Sequence, residues 1–261
     1  MKRILAILAV LSFSVMLAEA GTVKKTFDID EFTGISASDA FEVTLEHGDE
    51  FSVEVEVTKE FLPYLVVKNQ RGTLELKFSK LPFKLKQKDR NKVAKAVIRL
   101  PRLTFIALSG ASKLRSSDDF PLAMGRVVID LTGASSIPQL SLRAPEVGLK
   151  LSGASKASLE LSVSDFSADL SGASKLEAVG RATSASFGCS GASKVDADDL
   201  VCNEVTVDAN GASNVEVHAI NELTVSLSGA SRCRYFGDAD KLNVHPKSIT
   251  GASSLKAVNE R

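Results

Sequence analysis

The sequence predicts an all-β fold, a single-stranded parallel β-helix with rungs of about 20 residues. The tripeptide Gly-Ala-Ser occurs eight times, in steps of 23, 20, 19, 19, 20, 18 and 22 residues. A period near twenty is typical of solenoids, in which each rung covers the apolar face of the next. Around each copy, apolar and polar residues alternate as they do in strands, as in "FSADLSGASKLEA" at 166–178.

The repeated tripeptide is predicted to form a corner. Apolar residues stand two positions before and four positions after each glycine, so both positions are expected to point into the core. Between them the chain must bend, and glycine adopts the backbone angles that a crowded bend requires, while the serine hydroxyl can bond to nearby backbone groups. The predicted structural corners are Gly110, Gly133, Gly153, Gly172, Gly191, Gly211, Gly229 and Gly251.

The chain divides into three predicted parts. Residues 1–20 form a signal peptide, 21–100 a β-strand region that caps or begins the solenoid, and 101–261 the Gly-Ala-Ser β-helix. Within the second part, "AFEVTLEHGDEFSVEVEV" at 40–57 alternates on both sides of a turn at 47–49 and predicts two strands. The basic stretch 80–92 interrupts the strand pattern, and we interpret it as a solvated excursion, with a polyanion site as the alternative.

The first twenty residues have the features of a secretory signal. Lys2 and Arg3 precede an apolar run, and "AEA" ends at Ala20 before the expected cleavage. The alternative is a membrane anchor, but the run is shorter than the roughly 20 residues that a spanning helix needs. No cysteine stands directly after the expected cut, so a lipid anchor is not indicated. We therefore expect an exported protein without a transmembrane anchor in the mature chain.

Charge and composition argue against nucleic acid as a partner. The chain has 32 basic and 32 acidic residues, and loss of Lys2, Arg3 and Glu19 leaves 30 and 31. A nearly neutral protein lacks the positive field that attracts phosphate backbones. Tryptophan is absent and only two tyrosines occur, so platforms for stacking bases or sugars are few.

Three cysteines lie in the predicted mature chain: Cys189, Cys202 and Cys233. In an oxidising compartment, an odd number is consistent with one disulfide and a free thiol or with three buried thiols. Cys189 and Cys233 stand in repeat positions where other copies carry Leu, Ala or Val. We favour small core residues, and leave open whether any two form a disulfide.

The chain also resembles a known family. The resemblance rests on an opening "FTGISASDAFEVTLEHGDEFSVEVE", then "FLPYLVV", "GTLELKF" and "VIRLPRL", and finally repeated "LSGAS". From about Thr26 to about Ala257, the chain resembles the bacterial putative auto-transporter adhesin head (GIN) domain family. The resemblance implies a right-handed parallel β-helix in a Gram-negative bacterium. The expected location is the periplasm, the outer-membrane surface or outside the cell.

No catalytic or metal-binding motif stands out. His47, His218 and His245 are far apart and share no repeat position, so neither a metal site nor a histidine-based triad is expected. No phosphate-binding glycine loop and no nucleophile elbow occur. We predict no catalytic residue, no metal and no cofactor.

Stacking of the rungs predicts a charged stripe on the outside. Three residues after their glycines stand Lys156, Lys175 and Lys194, and five residues after stand Glu177, Asp196 and Glu216. Rungs about 4.8 Å apart bring the three carboxylates close together. The stripe is either a neutral ladder, with the lysines balancing the acids, or a Ca²⁺ site.

These patterns favour a non-catalytic envelope or surface protein, either adhesin-like or structural. A glycan or an envelope protein is the expected partner, self-association is possible, and the charged stripe is the candidate ligand-binding surface. The alternative is a carbohydrate-active enzyme, a polysaccharide lyase or hydrolase, that uses Glu177 or Asp196.

Overall fold

The computed structural model describes residues 15–16, 21–87, 92–120, 123–238 and 240–258. Except for residues 15–16, the predicted signal peptide lies outside these ranges. Strand accounts for 65% of the structure and helix for 4%, in parallel rungs about 20 residues apart. The predicted all-β solenoid is therefore confirmed. It has about seven turns, against the roughly eight rungs expected from eight copies of the tripeptide.

The described strands form one continuous sheet. Two short helices interrupt the early strands, a 3-10 helix at Lys59–Tyr64 and α1 at Phe83–Gln87. The strands are β1 (Val15–Met16), β2 (Thr22–Phe27), β3 (Gly34–Ala37), β4 (Glu42–His47), β5 (Ser52–Thr58), β6 (Leu65–Gln70), β7 (Thr73–Phe78), β8 (Ala94–Leu100), β9 (Phe105–Leu108), β10 (Lys113–Asp119), β11 (Arg126–Leu131), β12 (Ser136–Leu151), β13 (Lys156–Leu170), β14 (Lys175–Cys189), β15 (Lys194–Ala209), β16 (Asn214–Leu227), β17 (Arg232–Phe236), β18 (Asn243–Ile249) and β19 (Ser254–Ala257).

Each long strand bends twice. In β14, buried and exposed residues alternate along 175–179 and again along 184–189, and the alternation is interrupted on either side of Ala182. We name these segments face A (175–179), face B (180–183) and face C (184–189), and use the same names for the residues that pair with them in other rungs. The buried residues of all three faces form one apolar core.

The Gly-Ala-Ser corners stack directly on one another. Each of the eight glycines has a positive φ, between 72° and 76°. From Gly133 onward, a Cβ atom on the glycine would lie 2.5–2.7 Å from the carbonyl oxygen of the glycine one rung below. Real Cβ atoms do not come so close to backbone atoms. This position therefore accepts only glycine for two independent reasons, the positive φ angle and the lack of space for a side chain.

The corner serines are buried and hydrogen-bonded within their own turn. The Ser174 hydroxyl donates to the Ser171 carbonyl at 2.8 Å, and the same i to i−3 bond recurs at 2.7–2.8 Å in five other corners. Ser112 differs, because its buried hydroxyl has no hydrogen-bond partner. Seven of the eight corner serines are at most 1% exposed.

The solenoid begins before the first Gly-Ala-Ser copy. β3 and β4 pair in parallel with β9 and β10, so residues 34–47 form a rung beneath the first repeat. Its corner carries Asp39 and Ala40, with φ of 60° and 61°. The Asp39 carboxylate accepts hydrogen bonds from the Ser38 hydroxyl and the Phe78 backbone N–H. Aspartate tolerates this backbone region better than most residues, so the corner forms without glycine.

Antiparallel strands cover the N-terminal end of the solenoid. β4 and β5, the two strands predicted around residues 47–49, are both present but do not pair with each other. β8 lies between them, parallel to β4 and antiparallel to β5, and β2 pairs with the other edge of β5. At the opposite end, β18 and β19 each pair with one earlier strand, and Ile249 is 42% exposed.

Candidate functional site

The predicted charged stripe lies along face A. Lys156, Lys175 and Lys194 occupy paired positions in β13, β14 and β15. Glu177, Asp196 and Glu216 are likewise paired across β14, β15 and β16. The repeat alignment therefore gives the same register as the sheet.

Most charged residues of the stripe are in ion pairs. The ammonium group of Lys175 lies 3.8 Å from Glu177, that of Lys194 lies 3.1 Å from Asp196, and the Arg234 guanidinium lies 3.0 Å from Glu216. The hydrogen bond to Asp196 raises the pKa of Lys194. Exposed pairs of this kind contribute little to stability, but they do compensate the charge of the carboxylates.

Three carboxylates on face A come close together. Ligand atoms of Asp196, Asp198 and Glu216 lie within 4.8 Å of one another, and among the described residues this is the one such cluster. Burial alone would raise the pKa of Asp196, but its bonds with Lys194 and Asp198 bring the pKa below its usual value. Burial and the bond with Asp196 raise the pKa of Asp198. With Lys194 and Arg234 bound to two of its members, the cluster is balanced by cations of the protein itself.

The histidines lie on three different strands. His47 packs edge-on against Phe120, with 5.7 Å between the ring centroids, and His218 lies 6.5 Å from Phe236 by the same measure. His245 is exposed on β18. The structure does not bring the three imidazoles to one site.

All three cysteines are buried as free thiols. Cys202 pairs with Ala182 and Ala219 on the adjacent rungs, so it occupies a position for small core residues. Burial raises the pKa of each thiol to about 12, and Asp169 and Asp208 add to the effect at Cys189. A thiol with so high a pKa is a poor nucleophile at neutral pH.

Face C carries a polar groove that the sequence patterns did not single out. It has a volume of about 780 Å³ and crosses five rungs, β11 to β15. Its central column consists of paired outward positions, Asp130, Lys150, Asp169, Gly188 and Asp208. Columns of hydroxyl and amide side chains line its sides, among them Ser152, Ser171, Ser186, Ser190 and Asn210. The members of this column stand three residues before successive corner glycines, so the repeat spacing locates them in the sequence.

Gly188 opens the centre of this groove. A Cβ atom there would lie 2.7 Å from Oδ1 of Asp169, which extends over the glycine. Asp169 and Asp208 therefore flank a position without a side chain. Neither carboxylate makes an ion pair or a hydrogen bond with any described residue. The groove thus presents unpaired carboxylates beside hydroxyl groups, in contrast to face A.

The basic stretch 80–92 falls partly outside the described residues. Its described part contains α1 and an exposed Phe83. Lys92 lies over the rings of Phe78 and Phe61, at 5.2 and 6.0 Å from their centroids. This lysine therefore packs on aromatic rings of the N-terminal region, and the polyanion alternative for the stretch remains a prediction.

A family match covers this arrangement of corners and faces up to the corner at Gly229. The family described as "Putative auto-transporter adhesin, head GIN domain" matches residues 31–239. The chain belongs to this family. The predicted resemblance is thereby confirmed, and family membership indicates a cell-surface or exported protein.

Solved structures share the GIN-domain fold. One is a "Putative lipid binding protein" from Parabacteroides distasonis, with 18% identity, a TM-score of 0.81 and coverage of 92% of this chain and 98% of that one. Another is a "putative adhesin" from Parabacteroides merdae, with 17% identity, a TM-score of 0.81 and coverage of 92% and 97%. At such identities the likeness establishes the fold alone. No curated protein matches the chain significantly.

In the parts of the chain that the structure describes, the helices are too short to span a membrane.

Proposed function

We propose that this GIN-domain protein is a non-catalytic, exported envelope or cell-surface protein that binds a glycan in the groove of face C. The observation that carries the proposal is the column of Asp130, Asp169 and Asp208 carboxylates, which stand on every second rung beside hydroxyl groups and make no ion pair or hydrogen bond with a described residue. Carboxylates accept hydrogen bonds from sugar hydroxyls, while serine hydroxyls both donate and accept.

The dimensions of the groove suit an extended chain. Asp130 and Asp208 are separated by four rung spacings, about 19 Å at about 4.8 Å each. Because the rungs are fixed by paired backbones and stacked corners, the polar groups are positioned before the ligand arrives. Preorganisation of this kind lowers the entropic cost of binding. An extended polysaccharide could therefore bind along the stack with several sugar units in contact.

The charged stripe of face A is the second candidate surface. Its carboxylates are already bound by lysine or arginine, so a ligand there would have to displace internal ion pairs. We assign the main glycan contacts to face C for this reason. An envelope protein or a second copy of the chain as the ligand of the stripe stays a prediction.

A glycan array combined with a reducing-sugar assay tests the proposal. We expect binding of one or more polysaccharides without acidic groups, since carboxylates in the groove repel anionic polysaccharides. We expect no release of reducing ends. Turnover of any polysaccharide that is abolished by Glu177→Gln or Asp196→Asn would establish the enzyme alternative instead. Cell fractionation would separately test export, because an adhesin must reach the outer surface.

A further inference from the structure

Gly188 leaves an empty position in the middle of the face-C groove. Its nearest outward neighbours are Ser186 and Ser190 along the chain and, on the adjacent strands, Asp169 and Asp208. All five residues line the groove. A position without a side chain is thus surrounded by two carboxylates and two hydroxyls, four groups that accept hydrogen bonds. We call these five residues the Gly188 notch.

The notch has room for a group of the ligand. Apart from the chain neighbours of Gly188, a Cβ atom there would have only the end of the Asp169 side chain within 4 Å. Asp169 and Asp208 stand two rung spacings apart, about 9.6 Å at about 4.8 Å each. Oδ1 of Asp169 extends over Gly188 into this interval. A group bound above Gly188 therefore lies between the two carboxylates.

The charges around the notch favour a cation. The lining of the groove contains three carboxylates and one ammonium group, that of Lys150. Lys150 stands between Asp130 and Asp169 in the paired column, whereas the two neighbours of Asp208 in the column carry no charge. Negative charge is therefore least compensated on the Asp208 side of the notch. A protonated amine has three hydrogen-bond donors and a positive charge, so it suits the carboxylates and hydroxyls that surround this position.

We infer that the face-C groove is specific for a glycan with free amino groups, and that the Gly188 notch binds one protonated amine. This inference rests on the proposed function and names the class of glycan. The amine lies above Gly188 and donates to Asp169, Asp208 and a serine hydroxyl. Acetylation of the amine removes its charge and adds bulk, and a hydroxyl in its place brings one donor and no charge. Either change should weaken binding.

Three hexasaccharides with one β-1,4-linked backbone test the inference, because they differ only at carbon 2. The glucosamine hexamer carries amines there, the N-acetylglucosamine hexamer carries acetamides, and cellohexaose carries hydroxyls. Each is titrated calorimetrically into the intact protein at about pH 5.5, where aspartates are ionised and sugar amines are protonated. We expect the glucosamine hexamer to bind at least about tenfold more tightly than the other two, on the scale of a charged hydrogen bond. Hexalysine, with six side-chain amines and no sugar hydroxyls, should bind more weakly than the glucosamine hexamer.

Two variants locate the amine. Asp208→Asn removes a carboxylate of the notch, and Gly188→Thr fills the notch with a side chain. In both, the preference for the glucosamine hexamer over cellohexaose should disappear while the melting temperature stays close to that of the parent. Asp130→Asn is the matched control, because it removes the same charge from the same column on the far side of Lys150. It should keep the preference.

Equal affinity for the three hexasaccharides would overturn this inference and leave glycan binding by face C standing. If none of them binds, the inference is likewise wrong, and the glycan array decides the proposed function. Hexalysine bound as tightly as the glucosamine hexamer would show that the groove selects charge without a sugar, against the inference. A preference that survives in both Asp208→Asn and Gly188→Thr would place the amine outside the notch and contradict the assignment.

Discussion

The hydroxyl of Ser174 donates a hydrogen bond to the carbonyl oxygen of Ser171, three residues earlier in the same corner. Ser174 is 1% exposed, so its hydroxyl makes this bond shielded from water. Ser174→Ala should therefore lower the free energy of unfolding by about 1 kcal/mol. Urea denaturation followed by circular dichroism measures the change.

Ser112→Ala is the matched control for this prediction. Ser112 is the equivalent corner serine in the first repeat, and it is fully buried with no hydrogen-bond partner for its hydroxyl. Its removal should be neutral or stabilising, because burying an unsatisfied hydroxyl is unfavourable. Equal losses in the two variants would show that the corner bond contributes nothing.

Gly172→Val should destabilise the solenoid by a few kcal/mol, as strained backbone substitutions do. The residue has a φ of 76°, and its Cβ would lie 2.6 Å from the Gly153 carbonyl oxygen. Lys175→Ala, on the exposed stripe, should change stability much less. Urea melts that show Gly172→Val unfolding like the parent, with Lys175→Ala unfolding early, would invert our assignment of corner and surface.

Gly180 lies where β14 bends between faces A and B, and Gly180→Ala should cost about 2 kcal/mol or more. Its φ is 113°, and a Cβ atom would clash with the Leu161 carbonyl oxygen. Gly188→Ala, in the same strand, would meet only the movable end of the Asp169 side chain and should cost far less. Thermal unfolding of both proteins compares them, and similar melting temperatures would contradict the bend at Gly180.

The buried thiols predict a loss of stability in alkali. Each cysteine has a pKa of about 12 in the folded protein against an ordinary value of 9.0. Between pH 9 and 12 the unfolded chain loses these protons while the folded chain keeps them. The free energy of unfolding should therefore fall as pH rises, by up to about 1.4 kcal/mol per pH unit for each thiol.

A variant without thiols isolates this effect from other groups that titrate in alkali. Cys189→Ala, Cys202→Ala and Cys233→Val introduce residues found at paired positions in neighbouring rungs, Ala209, Ala219 and Val215. Combined, they should make unfolding less sensitive to pH between 9 and 12. If the free energy of unfolding fell equally steeply with pH in the parent and the variant, the contribution of the thiols would be refuted.

Sequence reasoning identified the repeating features of the fold and missed the exceptions. The eight glycines and the lysine and carboxylate columns could be predicted because the repeat has a nearly fixed period. Residues at the same distance in sequence from each corner glycine therefore occupy equivalent positions on successive rungs. The corner at Asp39 could not, because it uses aspartate and lacks the tripeptide. The pairing of β8 between β4 and β5 depends on contacts distant in the chain, which local alternation does not encode.

The functional surfaces were predicted less well for a similar reason. The face-A stripe follows the glycines closely in sequence, so the pairing of its residues between rungs could be predicted. The face-C column precedes the glycines, and its aspartates alternate with Lys150 and Gly188, so no single residue type marks it.

Binding of a glycan by the face-C carboxylates is best tested by one comparison of affinities. The glycan found on the array is titrated calorimetrically into the parent, into Asp169→Asn/Asp208→Asn, and into Glu177→Gln/Asp196→Asn, which removes the same charge from face A. We expect the face-C variant to bind about tenfold more weakly or worse, as loss of charged hydrogen bonds implies, with an unchanged melting temperature. The face-A variant should bind like the parent. Full affinity in the face-C variant, or loss of binding in the face-A variant alone, would show that the glycan does not bind through the face-C carboxylates.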